Sequence, residues 1–537
     1  MLQENVIRKD WRDIDLSFGL VYPNTYKIGM SSYAIRLLYF LINSFEKCVC
    51  ERFFIPNDVK YPAIKDNSSL DTIRSIENKI LPKEFDVLGF SLQFENDFKN
   101  VLWFLEKAEI PPLSSQRNNL NATKKHKFPL IVGGGTVATS NPQPFSKFFD
   151  LFFIGDSEPQ LELMLQSFVK YKFGEMTHGQ LLTSSKSIEG IYIPQLNNQV
   201  ERSILINLDN SPIPDYQLLS KTRIEKPIFE NVFFVEVNRG CPFQCKFCLS
   251  SFHNHPFRNR SLKIIKKAIE NGIQHSIFET INLIGPCVSA HPEFLDICKF
   301  IINKGKKLKL PSIRIEHLTK DLIKILEIGN IKSITLAPET GSEKLRYDLG
   351  KRISDPIIFS TLEMLKRSEV SNVKLYFLIG LPYETMDHIN ETIEFIKIIN
   401  EMGFEKDSIK VNINPFVPKL NTPYGKEIDF YLVENFKSLS NRFKKIESEI
   451  RHLSSIKLKF RNPQKILNNA RLQTIISLGD KNISDLMYRY YSQGANFGSL
   501  RKAQKEVKFS LDDYLIKIKS CYTPWKFKES NKKIVDN

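Results

Sequence analysis

The chain has 537 residues, 42% of them apolar and 25% charged, a balance ordinary for globular proteins that excludes collagens, mucins and wholly disordered chains. One hydrophobic core rarely organises that length, so two or three domains are expected. The formal charge is +16, and the stretch from Gly425 to Asn537 carries 23 basic against 12 acidic residues, which points to an anionic partner such as RNA for that region.

Taken in chain order, the first 172 residues alternate short apolar strands with amphipathic helices. Strands are expected at Leu16–Tyr22, Val49–Ile55, Asp86–Leu92, Pro129–Gly133 and Leu151–Ile154, and helices at Ser31–Asn43, Phe98–Glu106 and Pro159–Val169. The pattern is that of an α/β, doubly wound (Rossmann-like) domain. Glycines and small polar residues follow the strand ends at Gly89-Phe90-Ser91, Gly133-Gly134-Gly135-Thr136 and Gly155-Asp156-Ser157. Ligands of such folds bind outside the carboxyl ends of the strands, so these loops form a candidate site. No G-x-G-x-x-G follows the first strand, which argues against an ordinary dinucleotide site.

Residues 173–230 read as a connector with a hairpin, from Gly190–Ile193 and Arg202–Leu208. From 231 to 424 the alternation returns, with strands expected at Val232–Asn238, Thr280–Ile284, Ser312–Glu316, Ser333–Ala337, Val373–Ile379 and Ile409–Asn414. Helices are expected at Leu262–Asn271, Pro292–Lys304, Lys320–Glu327 and Thr385–Met402. Six β/α units are two short of a complete eight-stranded barrel, so a partial barrel is expected. Alternate strand positions are polar: Glu236 with Asn238, Arg314 with Glu316, Thr335 with Glu339, Lys374 with Tyr376, Asn412 with Asn414. Burying each unpaired would cost about 1–3 kcal/mol, so this face lines an open, ligand-filled lumen. Residues 425–537 read as a basic, mainly helical region.

The first barrel strand runs into Cys241-Pro242-Phe243-Gln244-Cys245-Lys246-Phe247-Cys248, a C-x₃-C-x₂-C spacing. Three thiolates on one loop can each hold a corner iron of a 4Fe–4S cube and leave the fourth iron without a protein ligand. A structural zinc ion would need a fourth ligand, for which His253 and His255 are the candidates.

The loop resembles the signature of the radical S-adenosylmethionine (SAM) superfamily, C-x₃-C-x-Φ-C, with Phe247 as the aromatic residue. Further segments are similar to the branch of that superfamily with an N-terminal cobalamin-binding domain: Tyr22–Met30, Gly89–Gln93, Gly133–Gly135, Ile154–Glu158, Leu336–Glu343, Lys374–Pro382, Phe416–Lys419 and Thr523-Pro524-Trp525. The resemblance implies a 4Fe–4S cluster on Cys241, Cys245 and Cys248, and SAM bound through its amine and carboxylate to the open iron. It implies cleavage to a 5′-deoxyadenosyl radical, an electron donor like flavodoxin or ferredoxin, and cobalamin-dependent methyl transfer to an unactivated carbon. Residue by residue, it assigns Phe247, Glu339 and Ser342 to SAM and its ribose, Lys351 to the methionine carboxylate, and Ile379 and Gly380 to adenine. Cobalamin contacts fall to Ser91, Gly134, Gly135 and Gly155.

Two departures stand out. Gly285-Pro286-Cys287 replaces the Gly-Gly-Glu that holds the methionine amine, leaving Cys287 as either a lumen-facing thiol or a small buried hydrophobe. Asn24 to Gly29 offers no histidine for cobalt. Other readings are a tRNA methylthiotransferase, whose second cluster would have only Cys48 and Cys50 before the barrel, and a nucleic-acid-binding Fe–S factor without turnover. The opening Met1–Asn5 shows no secretory leader and no apolar run reaches the ~18 residues of a bilayer span, so a cytoplasmic location without a membrane partner is expected.

Overall fold

The computed structural model describes residues 6–65, 73–122, 128–215, 228–229, 231–459, 462–520 and 522–528. The opening pentapeptide and most of 216–230 in the connector lie outside the described residues. The chain divides into two units, one formed by 1–231, 475–514 and 522–537, the other by 232–474 and 515–521. The stretch 425–537, expected as a region of its own, is therefore shared between them.

The first unit is built on six strands: β1 (Leu16–Tyr22), β2 (Cys48–Phe54), β3 (Val87–Ser91), β4 (Leu130–Gly134), β5 (Leu151–Phe153) and β6 (Ile191–Tyr192). They lie in the order β2-β1-β3-β4-β5-β6; every neighbouring pair is parallel except the antiparallel edge pair β5–β6. Strands β1, β2 and β3 are buried along their whole length, as the unbroken apolar runs require of a sheet covered on both faces. Cys48 and Cys50 belong to this core, which leaves them as packing residues. At the β2 edge of the sheet, Arg52 Nε donates to Glu77 Oε1 at 2.7 Å, with both side chains fully buried.

The expected hairpin in the connector is replaced. Ile191–Tyr192 joins the sheet edge, and Arg202–Leu208 forms no strand. The side chain of Asn198 accepts from Ile193 N and donates to Ile191 O, so it closes a local turn there instead of a ladder. Beyond it, single bridges tie Ser203 to Gly155 and Glu201 to Lys528. The late Trp525 packs edge-on against Tyr192 and donates to Thr139 O.

The second unit carries β7 (Val232–Glu236), β8 (Asn238–Arg239), β9 (Arg258–Asn259), β10 (Thr280–Ile284), β11 (Lys307–Lys309), β12 (Ser333–Glu339), β13 (Asn372–Ile379), β14 (Ile409–Pro415) and β15 (Ile456–Leu458). Parallel ladders join β11-β10-β7 and β12-β13-β14-β15. The third barrel strand is Lys307–Lys309, not Ser312–Glu316. Pro311 has no N–H to give a ladder, and the chain after it makes one bond to β12, Ile313 N to Thr335 O, before a 3₁₀ turn at Ile315–His317.

One face of these strands packs on helices: Phe233 meets Gly272 of the helix Leu262–His275, and Phe377 meets Phe395 of the helix Met386–Glu401. The other face keeps the expected polar alternation. Along β13 and β14, Val373, Leu375, Phe377, Val411 and Ile413 are buried while Lys374, Lys410 and Asn412 are half-buried and Tyr376 and Asn414 exposed. The architecture is thus α/β, with an N-terminal parallel-sheet domain, a partial β/α barrel and a helical C-terminal part. Among the described residues no helix is long and apolar enough to cross a membrane.

Candidate active site

The cysteine loop leaves β8 and returns through β9, and the antiparallel β8–β9 pair clamps its two ends (Asn238 opposite Asn259, Arg239 opposite Arg258). Gly240 at φ +75° starts it, where a side chain would meet the carbonyls of Asn254 and Pro256. The loop rests on two other segments of the unit: Lys246 N donates to Leu349 O (2.9 Å), and Tyr424 N donates to Lys246 O (3.1 Å). Phe247 packs on a small apolar cluster of Leu345, Leu349, Leu381, Phe416 and Tyr424. The loop is therefore held before any ligand binds.

Cys245 is buried and Cys241 and Cys248 are half-buried. Burial pushes the Cys245 thiol up to about 11, against the pull of Lys351 and Arg314. The guanidinium of Arg314 lies 3.5 Å above the Phe243 ring and is bound to Glu316. Two cations thus face a loop that would carry three thiolates. Sequence reasoning placed Arg314 on the lumen face but missed its contact with the loop, because the fold around Pro311 brings it there. Cys287 is buried; the interaction of its thiol with that of Cys241, then burial, holds the Cys241 thiol up, and the same interaction draws Cys287 down.

Among the described residues no three His, Cys, Asp or Glu side chains converge closely enough to hold one metal ion. His253 is buried with Nε2 2.8 Å from Leu420 O, and His255 is exposed.

Glu339 ends β12 at φ +69°, where a register shift between Leu336 and Glu339 interrupts the ladder with β13. This bulge turns the carboxylate toward Lys351, whose Nζ donates to Glu339 Oε1 at 2.8 Å; the side chains keep 12% and 10% exposure. Lys351 follows Gly350, the residue that sits against Gln244 O, so one short segment both buttresses the cysteine loop and supplies the cation. Ser342 is buried and its Oγ accepts from Leu345 N at 3.4 Å, so it caps the helix Glu343–Asp348.

Ile379 is buried, and Gly380 (φ +72°) donates its N–H to Glu384 Oε2 at 2.9 Å. Arg442 Nη1 reaches Glu384 O and Oε2, both at 2.8 Å. Sequence reasoning missed this buried pair, which fixes the turn after β13. Burial raises the Glu384 carboxyl from 4.5 to about 7 although Gly380 and Arg442 oppose it. Stability from this group is full below pH 4.5 and is lost as pH rises through about 7, where the folded chain must ionise a buried acid. Glu384→Gln, which keeps a neutral acceptor for Gly380, is expected to remove about 3 kcal/mol of stability change across that window. Urea unfolding at several pH values checks it, and an unaltered pH profile would contradict it.

In the first unit the strand order 2-1-3-4-5 puts the crevice at the switch between β1 and β3. The loops there differ in openness. Ser91 is buried and its Oγ accepts from Gln93 Nε2 (3.1 Å). A Cβ on Gly135 would strike Gln93 and Leu92, and one on Gly155 would strike Ser203 and Arg202. Gly134 alone of the four assigned residues leaves room beside it, its hypothetical Cβ meeting nothing nearer than 3.7 Å. Beside the crevice, Asn24 Nδ2 donates to Asp97 Oδ1 (2.9 Å), and burial raises that carboxyl to about 7.

Residues 34–194 match the family model for the N-terminal region of radical SAM proteins, and residues 235–396 that of the radical SAM superfamily. Together the two take in more than half of the chain, which belongs to the radical SAM superfamily and is an enzyme of that class; such enzymes use a 4Fe–4S cluster and SAM and draw an electron from a donor. Over 500 residues the chain is 28% identical to the uncharacterised protein MJ0966 of Methanocaldococcus jannaschii, covering 93% of this chain and 95% of that one. In fold it is similar to the radical SAM methyltransferase TsrM of Kitasatospora setae, solved with cobalamin and a 4Fe–4S cluster bound (TM-score 0.53, 10% identity, 91% of this chain and 99% of that one). It is similar also to the cobalamin-dependent SAM radical enzyme OxsB (TM-score 0.51, 14% identity, 94% of this chain and 78% of that one). At these identities the likeness to TsrM and OxsB is one of fold.

Proposed function

We propose that Cys241, Cys245 and Cys248 hold a 4Fe–4S cluster whose fourth iron takes SAM, and that the enzyme transfers a methyl group to an unactivated carbon with cobalamin carried by the first unit. The observation that carries the reading is the preformed cysteine loop, clamped by β8–β9, buttressed by Leu349 and Tyr424 and faced by Arg314 and Lys351. When bound, the reduced cluster supplies the electron that splits SAM to a 5′-deoxyadenosyl radical. Cobalamin, when bound, supplies the methyl carrier, a role supported by the fold shared with TsrM.

The chain's own residues position and shield. Arg314 and Lys351 offset the negative charge of three thiolates. Lys351 orients the methionine carboxylate, and Glu339, turned by its bulge, accepts from the ribose hydroxyls. Phe247, Ile379 and the Gly380 turn give adenine an apolar wall, and the apolar cluster behind Phe247 keeps water from the radical. Gly134 gives cobalamin its approach to the first unit, without a protein histidine on cobalt. The electron donor is a flavodoxin or ferredoxin.

Anaerobic reconstitution tests both halves. The full chain is expected to take up four irons, to form 5′-deoxyadenosine under strong reductant, and to retain cobalamin through gel filtration. No cluster would remove the first half, and no cobalamin at saturating supply the second.

A further inference from the structure

We propose that the floor of the barrel lumen grips the anionic end of an elongated small-molecule substrate, a phosphate or carboxylate group held by Lys374 and Lys410 with Lys309 across from them; this rests on the enzyme reading above and names its substrate class. Lys374 and Lys410 are direct neighbours in the β13–β14 ladder, and Lys410 is in turn opposite Lys457 on β15. Residues in register on parallel strands share a face, and here it is the face opposite to Val373, Leu375 and Val411, which are buried against the helices. Like charges set side by side on one face repel. Lys309 ends β11, in the other sheet, where it is exposed, and lies within electrostatic reach of Lys374. Burial, then the charge of Lys374, lowers the Lys309 ammonium, and burial, then the charges of Lys410 and Lys459, lowers that of Lys374.

The carboxylates that share the lumen face are already engaged. Glu236 is bound by Arg239 and Arg260, Glu316 by Arg314, and Glu339 by Lys351. Asp407, just before β14 and so at the same end as Lys410, lies 3.7 Å from Lys457. Among the described residues neither Lys374 nor Lys410 has a carboxylate within ion-pair distance. An incoming anion would relieve the repulsion and meet two or three donors at once.

The spacing also bears on size. Lys374 lies five residues before Ile379, about 16 Å along the strand at about 3.3 Å per residue. Lysine's reach shortens that gap, so the reacting carbon and the anionic group would sit on the order of 10 Å apart. Between them Tyr376 and Asn412, in register, and then Asn414 offer a ring face and amide groups to the middle of the molecule.

The test is equilibrium binding of inorganic pyrophosphate, of citrate and of a short oligoribonucleotide to the anaerobic holoprotein at fixed ionic strength. Lys374→Gln, Lys410→Gln and the double variant are compared with wild type, and cluster absorbance is recorded on every sample. The expected result is one pyrophosphate or citrate per chain, weakened about tenfold by each substitution. Preference for pyrophosphate marks a phosphate group, and preference for citrate a carboxylate. If a variant fails to fold, protection of Lys374 and Lys410 from acylation by either probe in wild type gives the same answer by mass spectrometry. No binding to wild type, binding that the substitutions leave unchanged, or binding of the oligonucleotide alone would overturn the proposal. Binding by a chain that takes up no cluster on reconstitution would support the anion site while removing the enzyme reading.

Discussion

Changing Cys245 to alanine is expected to leave a folded chain that assembles no stable cluster and loses 5′-deoxyadenosine formation by more than about 100-fold, beyond the 10–100-fold typical of losing an outer-shell partner. The fold should survive because the loop is held by its backbone. The bonds from Lys246 N and Tyr424 N and the β8–β9 clamp do not involve the thiol, and Phe247 keeps its seat on Leu345, Leu349 and Leu381. Cys287→Ala is the informative partner. Its thiol touches Cys241, but it lies outside the three-cysteine loop, so iron content should stay near that of the wild type. Iron analysis and circular dichroism on both variants check this. A Cys245→Ala chain with full iron, or a Cys287→Ala chain with none, would reassign the ligands.

The second large effect concerns Glu339 and Lys351. Both side chains are nearly buried, so Lys351→Met leaves a carboxylate with no partner and is expected to cost about 3 kcal/mol in urea unfolding. Glu339→Gln combined with Lys351→Met should recover most of that stability, because no unpaired charge remains. SAM affinity should behave otherwise: each single change weakens it more than about tenfold, and the double variant does not restore it. Equilibrium dialysis with SAM separates the two roles. Recovery of SAM binding together with stability would make the pair a structural ion pair and nothing more.

Much of this was legible along the chain, and the reasons are local. Leu16–Tyr22 and Thr280–Ile284 are apolar runs ended by turn residues, and they form strands with those limits. The polar face of β12 to β14 followed from period-two alternation, which needs no knowledge of partners. What failed depends on pairing at a distance. Arg202–Leu208 has strand composition, but Asn198 turns the chain and leaves Ser203 one bridge, to Gly155. Ser312–Glu316 alternates well, yet Pro311 withholds the donor and Lys307–Lys309 takes the ladder position beside β10. Ser342 matched a ribose-binding motif, and the helix cap its hydroxyl accepts, which the motif did not announce, leaves its proton free to donate. Glu384 and Arg442 lie 58 residues apart and signal nothing in one dimension, though together they hold the Gly380 turn.

Mössbauer spectroscopy of the anaerobic, iron-57-loaded enzyme with and without SAM tests the account at its centre. Three cysteine ligands predict that SAM alters the signal of one iron in each cube and leaves the other three alone. Four equivalent, sulfur-ligated irons indifferent to SAM, or a protein that takes up no cluster, would contradict it.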